Sequence, residues 1–380
     1  MMGSDEPTHA AAPRADNAKR YQSIKLRLSV ADMVLSLACM ALVAFSGISR
    51  TIAAFVAEMT IVPYFQFMLF VGLFGAALWA IGLPLDVYSS YVVEHRFGLS
   101  NQTPGGWIAE RVKSFAVGLV IGVPVGLAFY AFLIHAGGHW WLFTGAVVFL
   151  VSMLLARVAP QLIFPLFYSF TPLADGEVAQ RLREMVRERG IDISGVYSFN
   201  LSRDSRKANA GFAGMGRGRR IIISDTLLAE FTPDEIAAVF AHELGHYMNR
   251  HIAKNVALGG VIIFAALYLC GALYEWSMAG FGVLDHHDLA ALPMLFFYLA
   301  LFGLVMVPLT NAVSRHYERA ADRYALEATG RPAAFISAME KIARINLADT
   351  DPHPVIEVLW YSHPSIRRRI AMARGSTDSA

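Results

Sequence analysis

Residues 232–249 read TPDEIAAVFAHELGHYMN, and the architecture of the chain turns on them. Thr232 suits an N-cap, Pro233 the first helical position, and Glu235 the third position of a Thr-x-x-Glu capping box. A helix over Pro233–Asn249 is therefore predicted before any chemistry is considered. On that helix His242 and His246 stand four residues apart and share one face, so two imidazoles can reach one cation. Glu243, between them, suits a general base acting on water at the metal. The apolar part of this helix is too short to cross a bilayer. Polar residues bound it on both sides, Thr232-Pro233-Asp234-Glu235 and Asn249-Arg250-His251.

A catalytic zinc site needs a third protein ligand and an open fourth position. Glu318 is the candidate, in Ser314-Arg315-His316-Tyr317-Glu318-Arg319-Ala320-Ala321-Asp322. Asp322 lies one turn further on the same face, where a carboxylate can accept the far ring N–H of a ligating histidine and fix its tautomer. His251 is five residues beyond His246 and is expected to point off the ligand face. His316 precedes Glu318 by two and faces elsewhere. His286 and His287 read as solvated residues of a short loop. The expected cofactor is one Zn²⁺ per chain.

Outward from the motif, composition sets the setting. Of 380 residues 56% are hydrophobic and 16% charged, where soluble domains run nearer a quarter charged. Six stretches are long and apolar enough to span: Leu28–Ser49, Tyr64–Leu85, Phe115–His135, Trp140–Phe164, Val256–Trp276 and Leu292–Val313. Asp32 and Arg157 fall inside two of them. Cys39 and Cys270 lie in apolar runs and read as small membrane-helix residues, with no disulfide framework or metal spacing. Residues 1–22 read as a disordered polar tail. Four spans follow within 23–170, then a polar segment 171–254 carrying the metal helix, two further spans within 255–313, and a polar, helical segment 314–380. The two polar segments are expected to pack as one extramembrane domain. In the first of them, an amphipathic helix (Gly176–Arg189), an alternating strand (Val196–Asn200) and a hairpin (Ala208–Ala213 and Arg219–Ser224 about a Gly-rich turn) precede the metal helix. The turn GMGRG lacks the strand–turn–helix context of a nucleotide loop. Lys and Arg crowd the N-terminal tail, the Asp86–Ser114 loop and the polar domain, which places all three on the cytoplasmic side. The formal net charge of +2, with no basic, aromatic-interleaved patch, argues against nucleic acid as a partner.

Several blocks in order make the chain resemble the integral-membrane CAAX prenyl endopeptidases, zinc proteases of the a-factor-processing type, as a bacterial homologue. They are Val87–Thr103 (VYSSYVVEHRFGLSNQT), Ala159–Leu173 (APQLIFPLFYSFTPL), Asn209–Leu228, His242–His246, Ser314–Asp322 and Tyr361–Arg369 (YSHPSIRRR). The resemblance implies a mainly α membrane fold, with spanning helices around an intramembrane chamber and a gluzincin-like α+β protease domain on the cytoplasmic side. It implies a zinc-dependent endopeptidase with Glu318 as third ligand and Asp322 behind it. It also places His363 beside the metal as a catalytic residue, Arg369 behind that, and Asn209 and Ala210 on an edge strand that holds substrate backbone. The partners implied are a peptide or protein substrate, lipidated or membrane-associated, and the bilayer, in a bacterial inner membrane. Eukaryotic members have seven spans, and the one missing here is N-terminal.

Three other readings compete. A site-2-type intramembrane protease would carry its motif inside a span, which this helix is too short to be. A heat-shock-type membrane quality-control zinc protease is a closer relative, with the blocks from Val87 and Ala159 against it as nearest match. A non-catalytic zinc-binding membrane protein would have no use for Glu243.

Overall fold

The computed structural model describes residues 11–213, 219–280 and 285–377. Among the described residues, six helices are long and apolar enough to cross a membrane, one for each of the six apolar runs. The N-terminal half consists of α1 (Ala11–Phe45), α2 (Ile48–Met59), α3 (Pro63–Val87), a π-helical stretch Tyr88–Val92 leading into α4 (Val93–Arg96), α5 (Pro104–His135), α6 (Trp140–Leu162) and the single turn α7 (Phe164–Phe167). Thr103 caps α5 by accepting from the Gly106 N–H, with Pro104 at its first position, as N-terminal capping requires.

Residues 11–22 correct the expected disordered tail: they are helical, and residues 1–10 lie outside the described part. Alanines favour the helix, and a distant partner fixes it. The ring of Tyr21 packs edge-on against Phe97 at 5.3 Å and its hydroxyl donates to Glu94 Oε1 at 2.7 Å. Local composition could not reveal an anchor 73 residues away. The short amphipathic α2 was not anticipated either. It fills the first connection and buries Ser49 and Val56.

The polar domain follows: β1 (Phe170–Pro172), α8 (Glu177–Arg187), β2 (Gly195–Phe199), β3 (Ala210–Ala213), β4 (Arg220–Ser224), α9 (Asp225–Glu230) and α10 (Pro233–Met248). Two more long helices, α11 (His251–Gly280) and α12 (Leu292–Thr329), precede α13 (Pro332–Ile345), α14 (Pro354–Trp360) and α15 (Ile366–Thr377). The sheet order is β1-β2-β4-β3. The expected hairpin is the antiparallel β3–β4 pair, with Ala210 opposite Ile223 and Ala213 opposite Arg220. Its turn, 214–218, lies outside the described residues. β4 also runs parallel to β2, so β3 is an edge strand.

Strand alternation points Ile221 and Ile223 of β4 inward onto α10 and α8. With Val196, Leu182, Val186, Phe240, Leu244, Ala325 and Phe335 they form a buried core. Each of the larger of these side chains withdrawn from water contributes about 1.5–3 kcal/mol. This core joins both polar segments, and α12 ties it to the membrane. The apolar N-terminal half of α12 is a candidate span, and its C-terminal half buries Glu318, Ala321, Asp322 and Ala325 against the soluble core.

Candidate metal centre and active site

The helix that carries the motif starts as its sequence dictates. Thr232 Oγ1 accepts from the Glu235 N–H and Glu235 Oε2 accepts from the Thr232 N–H, closing the capping box. The same Glu235 carboxylate takes Lys341 at 2.7 Å and Ser337 at 2.5 Å from α13. The cap thus also locks α13 to the helix start.

One turn of α10 meets one turn of α12 at the site. The Nε2 atoms of His242 and His246 face each other at 3.2 Å. Glu318 reaches between them, with Oε2 3.3 Å from His242 Nε2 and Oε1 3.3 Å from His246 Nε2. The donor atoms of His242, His246 and Glu318 all lie within 4.8 Å of one another. Two nitrogens and one carboxylate oxygen converging on a point are the donor set of a zinc site with an open position. An orphaned atom supports the fit. Glu318 Oε2 is buried and accepts no hydrogen bond among the described residues, a costly state that a cation between the three donors relieves. His363 Nδ1 stands 2.7 Å from this oxygen, near enough to attract it but not aligned as a hydrogen-bond donor.

Behind the donors, Asp322 is fully buried. Its Oδ1 lies 2.8 Å from His242 Nδ1, and Arg369 grips it with two bonds, Nε to Oδ2 at 2.8 Å and Nη2 to Oδ1 at 2.5 Å. A lone buried carboxylate would be strongly destabilising, whereas a bidentate guanidinium compensates it. Arg369 Nη2 also lies 3.3 Å from His242 Nδ1. That nitrogen cannot both accept from Arg369 and donate to Asp322, and the shorter contact assigns its proton to Asp322. Burial disfavours the His242 imidazolium, but Asp322 and Glu318 outweigh it and push its pKa up to about 9. A cation on Nε2 would displace that second proton. Burial likewise pushes the Glu243 carboxyl up, opposed by the two histidines, which suits a group that must accept a proton.

His363 is 59% exposed at its side chain and sits in a turn rather than on a helix, because α15 begins only at Ile366. Arg315, one turn before Glu318, holds this turn. Its Nη1 donates to the carbonyls of Glu357, Val358 and Tyr361 at 3.1, 3.2 and 2.6 Å, and Glu357 Oε1 accepts the Ser365 N–H. Arg315 was missed at the sequence level because its partners lie more than 40 residues away. His251 lies outside the three-donor group, and the sequence did not show its contact with His246. Its Nδ1 is 3.0 Å from His246 Nδ1, since α10 ends at Met248 and the five-residue helical projection no longer applies. Asn209 is exposed at the entry to β3, its N–H and C=O both paired with Ser224. Ala210 opens the edge strand.

Gly245 fixes how closely the two helices approach. A Cβ there would lie 3.0 Å from Ala321 Cα and O and 3.1 Å from Tyr324 Cβ. Gly245→Ala must push α10 and α12 apart, a strain of about 1–3 kcal/mol, and so spread the donors. Zinc retention against a competing chelator is expected to fall at least about tenfold while far-ultraviolet circular dichroism is unchanged. Wild-type retention would show that the separation is not set here.

Fold and site together define a membrane-embedded metallopeptidase. The sequence matches two family models end to end, CAAX prenyl protease N-terminal, five membrane helices, over residues 9–169, and Peptidase family M48 over residues 172–377. The chain belongs to peptidase family M48 and is an integral-membrane zinc endopeptidase. Within 9–169 the structure has four candidate spans and the shorter α2. The uncharacterized metalloprotease YhfN of Bacillus subtilis is 29% identical over 94% of this chain and 84% of its own length. CAAX prenyl protease 1 of Saccharomyces cerevisiae is 28% identical over 80% and 71%. The crystal structure of Ste24p from S. mikatae superposes with a TM-score of 0.86 at 24% identity, over 97% of this chain and 91% of that one. It shares the fold.

Proposed function

We propose that this chain hydrolyses peptide bonds of membrane-associated peptides or proteins with one Zn²⁺ held by His242, His246 and Glu318, on the cytoplasmic side of a bacterial inner membrane. The observation that carries this reading is the convergence of those three side chains on one point, with Glu243 on the same helical turn. When bound, the ion supplies Lewis acidity toward the scissile carbonyl and lowers the pKa of water. Glu243 takes the proton from the attacking water and delivers it to the leaving amine nitrogen. His363 donates to the oxygen of the carbonyl under attack, from a turn that Arg315 holds in place. Asp322 keeps the Nδ1 proton on His242, so that Nε2 keeps its lone pair, and Arg369 keeps Asp322 ionised. Beside this machinery, the edge strand β3, which Ala210 opens, can take an extended peptide in the usual way a sheet edge recruits a strand, and Asn209, its own backbone paired with Ser224, presents its exposed side chain at the entry to that edge. Relatives named CAAX prenyl proteases make a lipidated C-terminal peptide the first substrate to try. The bilayer supplies its other partner.

Purified protein is expected to contain one zinc per chain and to cleave a quenched peptide. A chelator should stop cleavage and added Zn²⁺ restore it. Glu318→Ala should lose the ion, and full zinc in that variant at low free metal would assign the third ligand elsewhere.

The orientation rests on Arg and Lys near the span ends. With Cys39 and Cys270 replaced by Ser, a cysteine at Ser205 should react only with membrane-permeant reagents in intact cells. One at Asp285 should react with impermeant ones, and the reverse pattern would invert the topology.

A further inference from the structure

The far nitrogen of His242 donates to a carboxylate. The far nitrogen of His246 meets something different, another imidazole. His246 Nδ1 lies 3.0 Å from His251 Nδ1, with the rings edge-on at 5.1 Å. His251 reaches this position because α10 stops at Met248 and Arg250 adopts the left-handed conformation (φ 55), costly for a side-chain-bearing residue. The strained residue separates α10 from α11, and α11 begins with His251 placed against the His246 ring. His251 is only 3% exposed, and its ring lies flat on Tyr317, centroids 4.3 Å apart and planes 14° apart. Tyr317 is the neighbour of Glu318, so α12 supplies both a metal donor and the plate that fixes the His251 ring.

Two Nδ1 atoms at hydrogen-bond distance need one proton between them. If His246 Nε2 gives its lone pair to a cation, the His246 proton is on Nδ1. His251 Nδ1 must then accept it and carry its own proton on Nε2. From this geometry we infer that His251 is a positioning residue of the metal centre: its Nδ1 accepts the His246 Nδ1–H and so holds His246 in the tautomer and orientation that present Nε2 to the metal. The inference rests on the metal-centre reading above. It makes the two histidine ligands unequal, one backed by an arginine-neutralised carboxylate and the other by a neutral imidazole. Glu318 and Glu243 already bring two negative charges to the site. A neutral acceptor orients His246 without adding a third, leaving the ion more electrophilic than another carboxylate would.

The test compares variants of the full-length protein, stripped of metal and titrated with Zn²⁺ against a competing chelator. His251→Phe keeps a flat ring on Tyr317 but offers no acceptor. His251→Asn places its amide oxygen near the former Nδ1, and His251→Gln places it nearer the former Nε2. Loss of an outer hydrogen-bond partner typically costs about 10–100-fold in metal affinity. That loss is expected for His251→Phe and His251→Gln, with most of the affinity regained in His251→Asn. Cobalt-substituted His251→Phe should also show altered visible absorption bands, because the His246 ring is free to turn. Wild-type affinity in His251→Phe, or equal losses in the Asn and Gln variants, would overturn the inference and leave His251 a packing residue. His246→Ala separates the two levels. If it held zinc as tightly as wild type, the metal-centre reading itself would fail. If it lost zinc while His251→Phe did not, only the role of His251 would fall.

Discussion

Glu243→Gln is expected to keep stoichiometric zinc and lose turnover by about 10²–10⁴-fold, the range for removal of a positioned general base. The side chain is isosteric and lies outside the three-donor group, so nothing that holds the ion changes. What changes is the ability to take a proton. The carboxylate sits in a half-buried pocket where burial raises its pKa above that of an ordinary glutamate. This narrows the mismatch between the base and the water it must deprotonate, and an amide has no comparable basicity. Because the water must also be oriented, part of the loss belongs to the altered hydrogen bond, since glutamine presents a donor where an acceptor stood. Zinc content by metal analysis and cleavage of the quenched peptide read the two effects separately. Near-wild-type turnover in a zinc-replete Glu243→Gln protein would remove Glu243 from the mechanism.

Why some of this site was legible and some not follows from where each residue finds its partners. Thr232, Pro233 and Glu235 define the helix by local rules, and the i, i+4 spacing of His242 and His246 then fixes a shared face without further information. Glu318 and Asp322 obey the same spacing on α12. Their pairing with α10 is a tertiary fact, anticipated because a two-histidine motif needs a third ligand and then supported by the resemblance, and the glycine at 245 that permits the close approach looks unremarkable in the sequence. Arg369 was expected behind the site, and the structure places it on Asp322. His251, Arg315 and the helical start of α1 were not legible. Each depends on a break in regular structure or a distant contact: the left-handed turn at Arg250, the carbonyls at the end of α14, the Tyr21–Glu94 bond. Helical periodicity projects a residue only as far as its helix runs, and His251 lies just past the point where α10 stops.

His363→Ala is expected to keep zinc and fold yet lose about 10²–10³-fold in kcat, the measured scale for deleting one oxyanion donor at about 2.7–4 kcal/mol. The placement of the residue favours this pattern. His363 is more than half exposed, so truncating it leaves no cavity, and the turn that carries it is held independently by Arg315 and Glu357. Its Nδ1 approaches the edge of the donor cluster at Glu318 Oε2 without belonging to the three-residue group. From there it can reach an oxygen that gains charge only during the reaction. A group that interacts with the developing charge and not with the resting substrate lowers kcat and kcat/KM together and leaves KM nearly unchanged. Arg315→Lys supplies the matching control. One ammonium cannot serve three carbonyls in the geometry of a guanidinium, so the turn should loosen and a smaller share of the same kcat effect should appear with zinc intact. If His363→Ala instead released zinc, His363 would be a fourth ligand. A KM increase at constant kcat would make it a substrate-binding group, and unchanged kinetics would leave it only a residue of the turn.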